Sequence, residues 1–375
     1  MIGQGVALAA MPLLAASITR DPLQVSLVTV ASYSASLIMG LPAGALVDRW
    51  PLRGSMIGAD LARCLLLVTL ALAILGSLTS LPMITLAAFG LAVGACFFDP
   101  AAQAMIPALV TRDARMLARA NGAVWTLDTI GRALLGPPLG ALLFSVAAFA
   151  PFALNAVTFL ASAILLLKTP RAQAVARERP ALWAEVKQGV SFVVHNARLR
   201  WLATGMGVYN FGYNVAFSTL VLFAQDRLHV SDAGYGLLLA TLALGGVLGG
   251  WASRHLPPEV APRVMYGVAM LLQAAGWALV VSGQLLVAGA GLAVVGAAST
   301  ALSALGGTAR QLATPEGMIG RATAATRTVG IGAAAVGGLV GGVVGLGGIW
   351  VPLVAAAAAM VLAALAFLVG ERRSR

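Results

Sequence analysis

The chain has 375 residues, is 60% hydrophobic and only 10% charged, and has a mean hydropathy of +0.92. Soluble domains are about 45–50% apolar and about 25% charged, so the composition excludes an ordinary water-soluble enzyme. The formal net charge of +11 would suggest nucleic acid in a soluble protein. Here the basic residues lie between apolar runs, as in loops retained on the cytoplasmic side, and no nucleic-acid partner is expected. Cys64 and Cys96 fall within apolar runs and read as packing residues.

A bilayer crossing needs about 20 mostly apolar residues. In chain order, such runs place spans at about 1–17, 23–46, 54–77, 82–105, 119–144 and 149–168, each bound good to a few residues. The first is short: at 1.5 Å per residue it covers about 26 Å, against about 30 Å of hydrocarbon. The second runs into the charged turn GALVDRWPLRG, and the third opens with GADLARC. The fourth ends in FFDPAAQAMIPALV, and the fifth carries WTLDTIGRALLGPPLGA. A polar loop at about 170–198 follows. Six further spans are read at about 199–224, 232–253, 264–283, 285–309, 323–345 and 349–369. The fold class is therefore all-α and polytopic. Its organisation is a six-helix bundle over 1–169, a cytoplasmic central loop over 170–198 and a second six-helix bundle over 199–375.

Charge sets the orientation. Nineteen of the 24 Lys and Arg fall in every second loop or in the tail ERRSR, while Arg20 and Arg227 fall in the other loops and Arg63, Arg132 and Arg327 in spans. Both termini are placed in the cytoplasm. The two halves repeat: Gly40, Gly44, Asp48 and Arg49 have the spacing of Gly245, Gly249, Ser253 and Arg254, and LARAN is echoed by IGRAT. Parallel six-helix repeats are a transporter architecture.

The motifs GALVDRWPLRG, GADLAR, FFDPAAQAMIPALV, LARANG, GRALLGPPLGA and ARQLATPEGMIGR, in this order, resemble the major facilitator superfamily of secondary transporters. Within it they are closest to the bacterial branch of enterobactin exporters and macrolide-efflux-like proteins. The resemblance implies a twelve-helix fold working by alternating access in the bacterial inner (plasma) membrane. It also implies no bound cofactor, a proton gradient as driving force, a small-molecule substrate, the lipid bilayer as surroundings, and a monomer. Met1 aligns with the middle of the family's first helix, so the N-terminus is expected to be truncated. Pro51 stands where the superfamily loop usually has Gly, and Ser253 replaces the acid in the second half.

The resemblance assigns a conformational latch to Gly44, Asp48, Arg49, Arg53 and Asp99. Gly44 would bring helix 2 close to a neighbour, and Asp48 would face the positive start of helix 11 near Arg321. The alternative for the arginines is a topology-setting turn. Asp60 and Arg63, spaced i,i+3, can pair on one helix face, either as a local brace or as part of a relay with Asp99. Asp128 and Arg132, at i,i+4 inside a span, form either a permanent salt bridge or a balanced carboxylate that exchanges a proton. Gly136, Pro137 and Gly140 resemble the antiporter motif that the family associates with export, although Arg132 occupies an earlier glycine position. Glycines in helices 2, 5, 8 and 11 are read as smooth contacts between the halves.

Substrate-cavity candidates are Tyr209, Asn210, Tyr213 and Asn214 of YNFGYN, with Gln4, Gln103, Trp125 and Gln273. Amides in an apolar span need partners, from other helices or from a substrate. Apolar walls with few fixed charges suit amphipathic compounds such as drugs or siderophores, and suit phosphorylated nutrients poorly. No HExxH, GxSxG or GxxxxGK[ST] pattern occurs, so an enzyme or an ATP-driven pump is not expected. The readings left open are a small-solute importer and a non-transporting scaffold or sensor.

Overall fold

The computed structural model describes residues 2–47, 49–109, 114–169, 182–256, 260–315 and 318–369, and every regular element among them is helical. In chain order these are α1 (Ile2–Ile18), α2 (Pro22–Val47), α3 (Leu52–Leu75), α4 (Leu81–Leu109), α5 (Ala114–Asp128), a π-helical stretch (Thr129–Leu135), α6 (Gly136–Val146) and α7 (Ala150–Leu166). There follow α8 (Leu182–His195), α9 (Ala197–Phe217), α10 (Leu220–Asp226), α11 (Asp232–Ala252), a 3-10 turn (Ser253–His255), α12 (Pro262–Val281), α13 (Leu285–Leu312), α14 (Ile319–Gly345) and α15 (Val351–Val369). Among the described residues nine helical segments are long and apolar enough to cross a bilayer, and α1 and α7 are shorter apolar helices. With the interrupted pair α9–α10 these make twelve crossings, as the apolar runs predict.

Two predicted features need correction. The fifth span is not one α-helix: it widens into the π stretch before Gly136-Pro137-Pro138, where two consecutive residues lack an N–H and cannot continue the α ladder. The central loop is not all loop: α8 spans Leu182–His195. Its inward face carries Gly189 and Val193, four residues apart, and Val193 joins the core with Leu199, Leu202 and Ala203 of α9. Asn196 then caps α9, its side-chain oxygen accepting from the Leu199 N–H at 3.1 Å.

The chain forms two compact units. The first holds α1, α2 from Ala31 onward, α3 to α7 and the start of α11 through Ala240. The second holds Asp21–Val30, α8 to α10, α11 from Thr241 and α12 to α15.

In the first unit α1 is the central helix, packed on α6, the π stretch, α7 and α4. Ten of its residues are buried, from Gly3 to Ala16. The contact is backbone to backbone. A β-carbon at Gly136 would stand 2.5 Å from Gly5 Cα and 2.7 Å from the Gly131 carbonyl oxygen, and one at Gly140 would collide with the Val6 carbonyl. The start of α11 rests on α6 in the same way, with Gly236 against Ala141 and Pro138.

In the second unit α14 lies on α9, and α12 on α13 and α15. Gly337 and Gly341 of α14 meet the Phe211 and Val215 carbonyls of α9, while Gly338, Gly342 and Gly345 receive Val30, Ser26 and Pro22 of α2. Asp21 caps that end of α2, accepting from the Leu23 N–H at 2.8 Å. Gly245 and Gly249 of α11 sit on the Ala293 and Ala297 carbonyls of α13. These two glycines therefore make a contact inside one unit.

A methyl group at Gly136 cannot be relieved by a side-chain rotation, because its neighbours are backbone atoms. Gly136→Ala is expected to destabilise the protein by about 1–3 kcal/mol. Gly44→Ala, where a β-carbon would meet nothing within 4 Å, is expected to stay within about 0.5 kcal/mol of the parent. Thermal unfolding in detergent measures both, and equal melting temperatures would contradict the glycine seam.

Candidate functional site

Two carboxylates of the first unit, Asp60 and Asp99, act on Arg63. Asp60 and Arg63 are 0% and 1% exposed, and Arg63 Nη2 forms an ion pair with Asp60 Oδ1. The spacing i,i+3 on α3 makes this pair, but other helices complete its surroundings. The guanidinium lies 4.7 Å from the centroid of Phe98 on α4 and 4.2 Å from that of Phe159 on α7. A desolvated cation–π contact contributes about 2 kcal/mol. Arg63 Nε donates to the Ala59 carbonyl at 3.3 Å. Gly94 of α4 makes room for the stem: a β-carbon there would come within 2.6 Å of Arg63 Cγ. Asp99, one residue after Phe98, acts on the same guanidinium electrostatically. The Ser162 hydroxyl of α7 stands beside Asp60, while Asp60 Oδ2 has no donor in hydrogen-bonding geometry. One buried cation thus serves two carboxylates.

The turn after α2 is built onto this cluster. Trp50 stacks on Phe97 at 5.9 Å and 11°, and Val47 and Leu52 join Met56, Ala101, Met105 and Leu166 in a small core. Arg53 Nη1 donates to the Thr169 carbonyl at 3.0 Å, beyond the end of α7. Arg49 is exposed, and Asp48 lies outside the described residues. The close approach expected at Gly44 is not present: the space beside it is open, as it is at Gly40. Arg53 acts here as a tie between α3 and α7.

Among the described residues no ion pair joins Asp128 to Arg132. Asp128 is half-buried at the start of the π stretch and Arg132 is exposed. With both side chains incompletely buried, nothing compels them to neutralise each other. Gly136, Pro137 and Gly140 are buried, and the two glycines serve the α1 seam.

The polar candidates of the second unit lie among its helices. The Tyr209 hydroxyl shares a hydrogen bond of 2.9 Å with Ser299 of α13. Asn210 Nδ2 donates to the Met206 carbonyl at 2.8 Å and Asn214 Nδ2 to the Asn210 carbonyl at 2.9 Å, so both amides are turned onto their own helix. Tyr213 stacks on Phe217 at 5.2 Å. Gln273 is fully buried with neither end of its amide bonded, an arrangement that costs roughly 2–7 kcal/mol if nothing else satisfies it. Gln4 is half-buried and Gln103 exposed, and the Trp125 side chain lies outside the described part. Sequence reasoning missed Gly94, Phe98, Phe159 and Ser299. FFDP flagged the Phe98–Asp99 position, but nothing in the sequence pairs Phe159 with Arg63.

Twelve crossings, glycine seams and a wholly buried ion pair define a polytopic membrane protein. The chain belongs to the Major Facilitator Superfamily, whose family profile matches residues 1–338. No curated protein matches it. Among solved structures it is similar to a bacterial homologue of the iron transporter ferroportin (TM-score 0.76, 14% identity, 98% of this chain and 95% of that one). It is also similar to a bacterial homologue of the human lysosomal transporter Spinster (TM-score 0.72, 16% identity, 99% and 94%) and to the nucleoside transporter NupG (TM-score 0.76, 12% identity, 98% and 97%). At these identities the likeness shows the fold.

Removing one member of a buried pair strands the other. Arg63→Ala is expected to destabilise by about 3–5 kcal/mol, and Asp60→Leu added to it should restore most of the loss. Thermal unfolding of the single and double variants checks this, and a double variant no more stable than Arg63→Ala would mean that the pair is not coupled.

Proposed function

We propose that this protein is a proton-coupled exporter of amphipathic small molecules, working by alternating access as a monomer in the bacterial inner membrane, with both termini cytoplasmic and no bound cofactor. The observation that carries the coupling reading is the Asp60–Arg63 pair. Asp60 is enclosed, has one oxygen without a donor, and shares its cation with Asp99. When Asp60 takes up a proton, Arg63 keeps a counter-ion in Asp99, so protonation leaves no bare charge in the bundle. Asp128, half-buried and unpaired with Arg132, lacks this compensation and is the weaker candidate for the coupling carboxylate.

Export is supported by GRALLGPPLGA, whose glycines pack α1 against a π-helical turn, an irregularity often found at functional sites. Amphipathic cargo is supported by the amide and aromatic side chains of α9, with Asn210 and Tyr213 half-buried. Drugs and siderophores are within this class.

The test is uptake of fluorescent amphipathic dyes into inside-out vesicles under an imposed pH gradient. The expected result is accumulation that collapses when the gradient is dissipated. Asp60→Asn should lose gradient-driven accumulation while keeping dye exchange without a gradient, and Asp128→Asn should keep both. Movement only in the opposite sense would make the protein an importer. No movement of any dye or siderophore would favour a scaffold.

A further inference from the structure

The core of the second unit contains polar groups that neither the ion pair nor the transport reading employs. Gln273 of α12 is 0% exposed, and both its Nε2 and its Oε1 lack partners. One turn further along the same helix, Trp277 is equally enclosed and its indole N–H is also unpartnered. The Trp277 ring meets Tyr213 of α9 edge-on at 6.0 Å. The next residue of α9, Asn214, is 1% exposed. Its nitrogen is bonded to the Asn210 carbonyl, and its Oδ1 has no donor. Close by in sequence, at the interruption between α9 and α10, Thr219 Oγ1 is buried and unpartnered as well.

These groups form a mixed set. Gln273 Nε2 and the Trp277 indole can only donate, Gln273 Oε1 and Asn214 Oδ1 can only accept, and Thr219 can do both. Gln273 and Trp277 stand one turn apart on α12, which the Tyr213–Trp277 contact joins to α9, and no hydrogen bond links their unpartnered atoms. A cation is a poor match, because donors point the wrong dipole at it. A substrate is a poor match, because the side chains are enclosed on every side. A molecule that both donates and accepts, and is small enough for a helix interface, fits Gln273 and Trp277.

We infer that the α9–α12 interface holds a buried water site, a small group of ordered water molecules bonded by Gln273 and Trp277. The site explains why an amide occupies a position where methionine would fill similar space without a polar group.

The experiment uses the full chain in detergent. Gln273→Met tests the energetics: a dry, unbonded amide would be improved by methionine, whereas a hydrated one would be harmed. The melting temperature is expected to fall by several degrees. Trp277→Phe should also lower it, and the double variant should lose less than the sum, because the two side chains share water rather than touch. X-ray hydroxyl-radical footprinting supplies a second readout that needs no variant. Trp277 should be modified despite its burial, and the modification should drop several-fold in Gln273→Met. A rise in melting temperature for Gln273→Met, or an unmodified Trp277 in the wild type, would overturn the inference. Protection of Trp277 by a transported dye would also overturn it, making the position a substrate subsite instead.

Discussion

Close backbone contact through glycine is the interaction on which the rest of this structure depends. In hydrocarbon, helices gain little from burying apolar side chains against one another, since lipid tails are equally apolar. Association rests on dispersion at short range and on polar groups that find partners. The seam of Gly5, Gly136 and Gly140 lets α1 sit against α6 with carbonyls in contact, and Gly337 and Gly341 do the same for α14 on α9. These contacts occupy the inner faces of the bundles. The large exposed side chains, such as Leu72, Leu286 and Leu362, are left on outer faces where lipid suits them.

Such tight bundles leave little room for charge, which makes the Asp60–Arg63 pair informative. A guanidinium in this setting needs compensation, and it receives three kinds: a carboxylate on its own helix, aromatic faces from two others, and the field of Asp99. Gly94 is the sequence feature that permits the arrangement, because a side chain there would fill the space that Arg63 occupies. The same three helices are tied again at their ends by Arg53 on Thr169 and Trp50 on Phe97. The charged turn and the buried pair are therefore one mechanical unit: a displacement of α4 that moves Phe97 also moves Phe98 and Asp99.

The spans were legible from hydropathy because each needs only its own residues to be recognised. Asp60 and Arg63 were legible for the same reason, since both partners lie on one helical face. What could not be read was the neighbour of each face. Gly40 and Gly44 have the spacing of Gly245 and Gly249, yet the first pair faces open space and the second is wedged against α13 carbonyls. Identical spacing fixes the shape of a helix surface, while its occupancy depends on chain segments far away. Similarly, the amides of Asn210 and Asn214 were read as needing external partners, but the carbonyls one turn back on their own helix take their N–H groups. The helix α8 was hidden by the charge of its surroundings, although Gly189 and Val193 carry the spacing that buries it.

The two units differ in the kind of polar chemistry they enclose. The first concentrates its polar chemistry in ionised groups that compensate one another. In the second the polar side chains that are fully buried are neutral, among them the enclosed amides of Asn214 and Gln273, and Tyr209 bonds Ser299. A neutral network can exchange partners without moving charge through hydrocarbon, which is costly. An ionised pair can instead respond to a proton. If one unit senses the proton gradient, the compensation of charge around Arg63 makes the first unit the one equipped to do so.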